Sequence, residues 1–322
     1  MSKTRTFVKT RCNMKNNFSR ILCTALCCAP LFAAAQTSER ITSHQRLYQE
    51  GQSLFQQKAY AAAIPPLTSF IRQTDAEGNP VPNAGERMEA EYMLACAAYE
   101  LKDGKSLDIL QAYLDRYPDN PYANRIYALM GSVYFFRKDY DAALALLNSA
   151  RLDLLGSEER DDMTYRLATC YLKTGNVKEA AIWFETLRST SRKYNADCTY
   201  YLSYIRYTQQ RHDEALKGFL SLQDNGKYKD LVPYYIGEIY LLKKQYDKAE
   251  IVAQNALSAH SSSMSHAHTA EMYRILGTAQ YHFGKYHEAT QSFEQYLELD
   301  TESDSHRRDA LYMLGMSRYQ CG

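Results

Sequence analysis

A chain of 322 residues has the length of two average domains or of one elongated domain. Lysine and arginine (38) nearly balance aspartate and glutamate (37), but six of the cations and none of the acids fall in residues 1–35. The remainder is acidic, which argues against a nucleic-acid partner because phosphate neutralisation supplies most of that affinity. A hydrophobic content of 45% excludes a disordered chain, and 28 tyrosines beside 11 phenylalanines are the unusual feature of the composition.

The first 35 residues have the features of a secretory signal peptide. A basic stretch precedes fifteen mostly apolar residues, ILCTALCCAPLFAAA, which end in three alanines. This run is short for a membrane span, which needs about 20 residues. We expect cleavage between Ala35 and Gln36, a linker over residues 36–43, and a mature chain that is periplasmic or extracellular. Met14 is an alternative start, and an uncleaved anchor and an association with the outer membrane stay open.

Cysteine usage predicts neither a disulfide framework nor a zinc site. Four of the eight cysteines fall in the presequence, and no close spacing links the other four. Those four are predicted to be small apolar residues buried in helices: Cys96, Cys170, Cys198 and Cys321.

Self-similarity is the main structural signal in the remaining residues. Segments 127–150, 165–187, 234–257 and 273–297 each contain a small residue, a turn about seven residues later, and then an alanine and an aromatic at helical spacing. This pattern predicts pairs of helices joined by short turns. Such turns are predicted at residues 138–141, 173–176 and 282–285, where Gly or polar residues reverse the chain.

These segments resemble the 34-residue tetratricopeptide repeat. The third repeat carries the pattern at nearly every position: Tyr127, Met130, Gly131, Tyr134, Tyr140, Ala143, Leu147 and Ala150. The resemblance covers residues 44–322, and the repeats are similar to those of exported bacterial envelope proteins of this family. It implies an all-α fold, a right-handed α-solenoid of antiparallel helix pairs with about seven full repeats plus a half repeat.

Two positions of the family pattern are small because the two helices of a repeat cross there. Position 8 falls at Gly51, Ala95, Gly131, Ala168, Ser203, Gly237, Gly277 and Gly315. Position 20 falls at Ala63, Leu107, Ala143, Ala180, Ala215, Ala249 and Ala289. Repeats 1, 2 and 5 fit least well, and Leu107, Gln111 and Arg206 depart from the pattern.

The connections between repeats are predicted from their turn-forming composition. The run Tyr117–Pro121 ends the second helix of repeat 2 and precedes repeat 3. Two inserts, Thr74–Gly85 and Ser258–His268, are predicted to be exposed loops. The eighth repeat reaches only position 15 at Gly322, from which we expect a fragment of a longer protein or a partner that covers the last helix.

No catalytic motif is found in the sequence, and we predict no catalytic residue, no cofactor and no metal. Gly104-Lys105-Ser106 matches only the end of a phosphate-binding loop. Three histidines lie within nine residues at 260, 266 and 268, where a solvated polar loop is favoured over a metal site.

The family resemblance implies a concave groove for extended peptides, lined by positions 2, 5, 9, 12 and 13 of each first helix. The aromatic residues carried over to this groove are Tyr48, Phe55, Tyr92, Tyr99, Phe135, Tyr165, Tyr200, Tyr204, Tyr207, Tyr234, Tyr281, Tyr312 and Tyr319. Tyrosine suits binding surfaces because its ring offers a large rigid contact and its hydroxyl tolerates water. The alternative is that neighbouring repeats pack these rings against one another. The Lys at position 5 and Asn at position 9 of chaperone-clamping relatives are absent.

The sequence therefore predicts a non-enzymatic protein-binding scaffold of the cell envelope whose partner is another protein. It predicts no nucleic-acid partner and no membrane span after signal cleavage, and self-association through the last helix stays open. Two alternatives remain. The chain is the sensor or regulatory region of a longer protein, or it binds cell-wall carbohydrate through its tyrosines.

Overall fold

The computed structural model describes residues 43–260, 264–299 and 305–322. The predicted leader and the Met14 alternative lie outside these residues, as does the predicted linker except for Ser43, which already belongs to the first helix. Within the described residues the chain is helical, with one isolated β-bridge between Thr74 and Pro80. In the same part of the chain, no helix combines the length and the apolarity that crossing a bilayer requires.

The chain divides into two compact units, the first ending at Leu101 and the second beginning at Lys102. The first unit contains α1 (Ser43–Gln56), α2 (Tyr60–Ile71) and α3 (Ala84–Glu100). The second contains α4 (Ser106–Arg116), α5 (Ala123–Phe136), α6 (Tyr140–Ser149), a 3₁₀ turn (Leu152–Leu154), α7 (Ser157–Lys173), α8 (Val177–Thr190), α9 (Asn195–Thr208), α10 (His212–Leu220), α11 (Val232–Leu242), α12 (Tyr246–His260), α13 (His266–His282), α14 (Tyr286–Leu299) and α15 (Ser305–Cys321).

Each unit is a row of sequential helices. In the first unit α1 packs on α2 and α2 packs on α3. In the second unit every helix from α4 to α14 packs on its successor, and contacts also join α5 to α7, α11 to α13 and α13 to α15. The all-α prediction is confirmed, and the second unit has the alternating helix pairs that the repeats predict.

One backbone conformation recurs in every helix-pair turn. The residue seven places after each predicted position 8 adopts a left-handed φ between 56° and 83° in the first seven repeats. These residues are Lys58, Lys102, Lys138, Gly175, Gln210, Lys244 and Gly284. The predicted turns at residues 138–141, 173–176 and 282–285 are confirmed. The same spacing holds in repeats 1, 2 and 5, where the sequence pattern is weakest.

Several of the small residues at position 8 are explained by close approach of the second helix of the same repeat. A Cβ at Gly131 would lie 2.8 Å from Cγ of Leu147, and one at Gly51 would lie 2.6 Å from Cγ of Leu67. The alanines predicted at position 20 are fully buried: Ala63, Ala143, Ala180, Ala215, Ala249 and Ala289.

Repeat 2 is the exception, since its second helix is shifted by one residue. Ser106, Leu110 and Tyr113 are buried, whereas Leu107 is only half-buried and Gln111 is exposed. The prediction of Leu107 at position 20 is therefore wrong by one. The small residue at this position is Ser106, which a search for alanine misses.

Two further predictions need correction. The insert at residues 258–268 is not one loop, because α12 continues to His260 and α13 begins at His266, with Ser265 as its N-cap. Cys321 is exposed on α15, whereas Cys96, Cys170 and Cys198 are buried as predicted. Burial raises the pKa of both Cys170 and Cys198 to about 12, so these two thiols stay protonated.

The insert at residues 74–85 is largely the predicted exposed loop. Asp75 organises it by accepting hydrogen bonds from the backbone amides of Glu77 and Asn79. The last two residues belong to α3, because Asn83 and Glu86 form a capping box that begins this helix.

Candidate protein-binding surface

The aromatic rings at position 12 pack between the two helices of their repeat. They lie in the last turn of the first helix and meet the aromatic residue at position 17, in the first turn of the second helix, edge to face. The ring centroids are 5.5 Å apart for Phe55 and Tyr60, 6.0 Å for Phe135 and Tyr140, 5.9 Å for Tyr207 and His212, and 5.8 Å for Tyr281 and Tyr286. These predicted groove residues therefore make packing contacts within their own repeats.

Position-5 rings connect each repeat to the next in α7 to α11. Tyr165 stacks on Tyr194 with 4.6 Å between ring centroids, and Tyr200 stacks on Tyr228 at 4.7 Å. Tyr194 and Tyr228 both precede the first helix of the following repeat. Stacked aromatic pairs of this kind add about 0.5–1.5 kcal/mol beyond their buried area.

Each of these stacks is completed by a carboxylate. The hydroxyl of Tyr194 donates to Asp162 at 2.9 Å, and Tyr228 donates to Asp197 at 2.8 Å. Lys193 and Lys227 bind the same carboxylates. Burial, reinforced by the hydrogen bond to Asp197, raises the pKa of Tyr228, so its hydroxyl remains a donor.

At two other junctions of the second unit, a residue at position 2 of one repeat again pairs with the residue that lies two places before position 1 of the next repeat. Arg125 donates to both carboxylate oxygens of Glu159 at 2.7 and 3.0 Å, and His306 lies 3.8 Å from Glu271. The paired groups differ from one junction to the next, but the positions that pair are the same.

The densest aromatic cluster surrounds Tyr235 on α11. Five rings lie within 4.7 to 6.1 Å of its centroid: Tyr200, Tyr204, Tyr207, Phe219 and Tyr234. Tyr235 is not among the predicted site residues because it falls at position 6, which is not one of the groove positions of the family pattern. The sequence signal for it is the Tyr-Tyr dipeptide, which occurs at 200–201 and again at 234–235.

Five tyrosines of this cluster are half-buried, and we call three of them the tyrosine face: Tyr204, Tyr207 and Tyr234. The hydroxyls of Tyr204 and Tyr207 form no hydrogen bond with any other described residue. Burial and the carboxylate of Glu238 raise the pKa of Tyr207 and of Tyr234, so both phenols are neutral.

A buried ion cluster borders the tyrosine face. Arg274 on α13 pairs with Glu238 on α11 and lies 2.7 Å from Glu271 on its own helix. The Arg274 side chain is only 10% exposed, and its position is tyrosine in six of the eight repeats. The two carboxylates outnumber the one guanidinium, which leaves a negative charge beside the phenols.

The other predicted residues are dispersed. In the first unit the ring centroids of Tyr48 and Phe70 lie 5.0 Å apart, Tyr92 is buried, and Tyr99 is half-buried. On α15 the side chains of Tyr312 and Tyr319 are 67% and 79% exposed.

No group of three or more His, Cys, Asp or Glu side chains in the described residues is arranged to hold a metal ion. One histidine of the run at 260–268 has a structural partner, since Nδ1 of His268 lies 2.9 Å from the Ser265 hydroxyl at the start of α13.

Models of known protein families match the repeats of this chain. Three models described as tetratricopeptide repeat match residues 89–120, 137–198 and 231–302, which together make up more than half of the chain. The chain is a tetratricopeptide repeat protein. Repeats of this family form protein-interaction scaffolds, and the matches indicate no enzyme family.

Solved structures similar to this tetratricopeptide repeat protein include MamA AMB-1, with 18% identity over 60% of this chain and 98% of the other and a TM-score of 0.47. A tetratricopeptide repeat protein from Parabacteroides merdae has 13% identity over 86% of this chain and 99% of the other, with a TM-score of 0.45. No curated protein matches the chain.

Proposed function

We propose that this tetratricopeptide repeat protein is a non-enzymatic scaffold of the cell envelope that binds an extended, partly apolar segment of another protein on the tyrosine face. The observation that carries this proposal is the pair Tyr204 and Tyr207. Both rings are half-buried, and both hydroxyls lack a hydrogen-bond partner within the described residues.

Packing holds these two rings before a partner arrives. Tyr207 is fixed between His212 and Tyr235, and Tyr204 lies against Tyr235. Side chains that are already ordered lose little conformational entropy on binding, which favours affinity. A free phenol can donate to a backbone carbonyl of an extended segment while its ring contacts an apolar side chain.

Site-specific photo-crosslinking tests the proposal in the cells from which the sequence derives. A photoreactive amino acid at Tyr204 is expected to give a covalent adduct with a protein. The same amino acid at Leu220, an exposed position on α10, serves as the control and should give none. The same adduct at both positions, or an adduct with glycan alone, would overturn the proposal.

Export is the second part of the proposal, supported by the basic and apolar composition of residues 1–35. Mass spectrometry of the purified mature protein should find Gln36 at its N-terminus, in the envelope fraction. A chain that begins at Met1 or Met14 and stays in the cytoplasm would contradict export without affecting the crosslinking result.

We also propose that α15 mediates self-association. Leu311, Tyr312 and Tyr319 are exposed on this helix. Light scattering should give a mass that rises with protein concentration, and replacing these three residues by serine should abolish the rise. A monomeric mass at every concentration would refute this proposal.

A further inference from the structure

A pocket of about 560 Å³ lies in the second unit between α6, the 3₁₀ turn, α7 and α8. Its lining includes Leu147, Leu167 and Leu187, each at most 2% exposed, and the half-buried Trp183. Trp183 is the one tryptophan of the chain. This volume is within the range of sites that bind small molecules or peptide side chains, about 300–1,000 Å³.

The pocket exists because the chain makes a detour between α6 and α7. The detour is held by a reciprocal pair of hydrogen bonds. The Asn124 side-chain amide donates to the Arg151 carbonyl at 3.0 Å, and the Arg151 amide donates to the Asn124 side-chain oxygen. The 3₁₀ turn that follows contributes Leu152 and Asp153 to the lining. The rim is therefore formed before any ligand arrives.

The charged groups of the lining are balanced. Arg151 lies 3.0 Å from Asp153, and Arg160 lies 3.9 Å from the neighbouring Asp161. Two cations and two anions leave no net charge, so the pocket has no electrostatic preference for a phosphate or for a carboxylate ligand.

The hydroxyls of the lining are also occupied. Thr164 donates to the carbonyl of Arg160 at 2.7 Å, Thr186 to that of Ile182 at 2.9 Å, and Thr190 to that of Thr186 at 3.1 Å. Threonines that bond to their own helix present a methyl group to a ligand. What remains for a ligand, besides the side-chain amide of Asn148, is a largely apolar cavity with no net charge beside an indole ring.

We infer that this pocket binds a large apolar side chain, of the phenylalanine or leucine type, presented by an uncharged segment of a partner protein. The apolar lining and the balanced rim select this occupant over a charged one. The pocket shares no residue with the tyrosine face, so it is a second and independent contact site. A partner that engages both sites would gain affinity through the effective concentration of its second contact.

The test uses the full chain and the short peptide acetyl-Gly-Phe-Gly-amide, which contributes no tryptophan fluorescence. Titration should shift the emission of Trp183 saturably, and calorimetry should give the same dissociation constant. Acetyl-Gly-Asp-Gly-amide and acetyl-Gly-Gly-Gly-amide should leave the emission unchanged.

A matched pair of variants locates the site. Thr190 is the exposed last residue of α8 and lines the pocket, whereas Thr208 is the exposed last residue of α9 and does not. Thr190→Phe should fill the pocket and weaken peptide binding about tenfold or more. Thr208→Phe should leave binding unchanged, and circular dichroism should show both variants folded.

Three results would overturn the inference. They are no saturable binding of the phenylalanine peptide, equal binding by Thr190→Phe and the wild type, or tighter binding of the aspartate peptide. None of these results bears on crosslinking at Tyr204, so failure here is distinguishable from failure of the proposed function.

Discussion

The hydroxyl of Tyr228 donates a 2.8 Å hydrogen bond to Asp197, which lies one repeat earlier on α9. Tyr228 also lies flat on Tyr200, so a single side chain joins two successive repeats through both its ring and its hydroxyl. Tyr194 and Asp162 repeat the hydrogen bond at the preceding junction. Because no single repeat can bury its own apolar face, such junctions set the stability of a repeat stack.

Removing only the hydroxyl tests this junction. Tyr228→Phe keeps the ring stack but takes one donor from Asp197, whose side chain is 12% exposed. Urea unfolding should show a free energy lower by about 1–2 kcal/mol. Tyr194→Phe is the matched control and should cost less, because Asp162 is 27% exposed and water can replace the donor. Equal losses at the two junctions would contradict this explanation.

The sequence predicts much of this fold because the repeat constrains nearly the same positions each time. Gly131 and Ala143 mark a close crossing of helices that only small residues allow, and the turn follows at a fixed distance. The helix shift around Leu107 escapes prediction because the small buried residue is a serine, Ser106, and not the alanine that the pattern leads one to expect.

The tyrosine face was only partly predictable. Tyr204 and Tyr207 follow from the family positions, but the central Tyr235 depends on how one repeat is oriented on the next. The sequence likewise shows Arg274 as an exception at position 5. Its pairing with Glu238, 36 residues earlier, becomes evident only when α13 packs on α11.

Gly218 on α10 allows a steric test of the packing between the two helices of the fifth repeat. A Cβ at this position would lie 1.9 Å from the hydroxyl oxygen of the fully buried Ser203. Gly218→Ala should therefore lower the unfolding free energy by about 1–3 kcal/mol through overpacking. Gly226→Ala, where no atom lies within 4 Å, should change it by less than about 0.5 kcal/mol.

A double variant identifies the clash as the cause. Adding Ser203→Gly to Gly218→Ala removes the hydroxyl that the new methyl group meets. The double variant should be more stable than the sum of the two single effects predicts. Strict additivity would show that Gly218 matters for another reason.

The left-handed turns offer a gain in stability. Lys138 has a φ of 63° and is exposed, so its side chain strains the backbone without adding a buried contact. Lys138→Gly should raise the unfolding free energy by about 0.5–1 kcal/mol. Lys173→Gly, an exposed lysine in the last turn of α7, should instead lower it by about 0.8–1 kcal/mol. A loss of stability in Lys138→Gly would refute this assignment.

His282 should make stability depend on pH. Partial desolvation, together with the positive charge of Lys244, lowers the pKa of this surface histidine in the folded chain, where its ring stacks on Tyr246 at 4.2 Å between centroids. Protonation therefore favours the unfolded chain, whose histidine has a pKa of about 6.5. The unfolding free energy should fall as the pH drops below this value and should be insensitive to His282 above it.

Urea midpoints at pH 7.5 and at pH 5.5 measure this contribution. His282→Gln should reduce the difference between the two midpoints. His287→Gln, which replaces an exposed histidine on α14, should leave the difference as it is in the wild type. An unchanged difference in His282→Gln would exclude this histidine as the source.

Among the charged residues that the structure describes, Arg274 should lose the most stability on replacement, because its side chain is 10% exposed and pairs with both Glu238 and Glu271. Arg274→Met leaves a buried carboxylate uncompensated and should lower the unfolding free energy by about 3–5 kcal/mol. Arg274→Met combined with Glu238→Leu should recover most of that loss, because an apolar pair needs no compensation. Arg125→Met, which breaks a more exposed pair with Glu159, should cost about 0–1 kcal/mol. If the two effects at Arg274 and Glu238 simply add, the cost does not come from the unpaired charge.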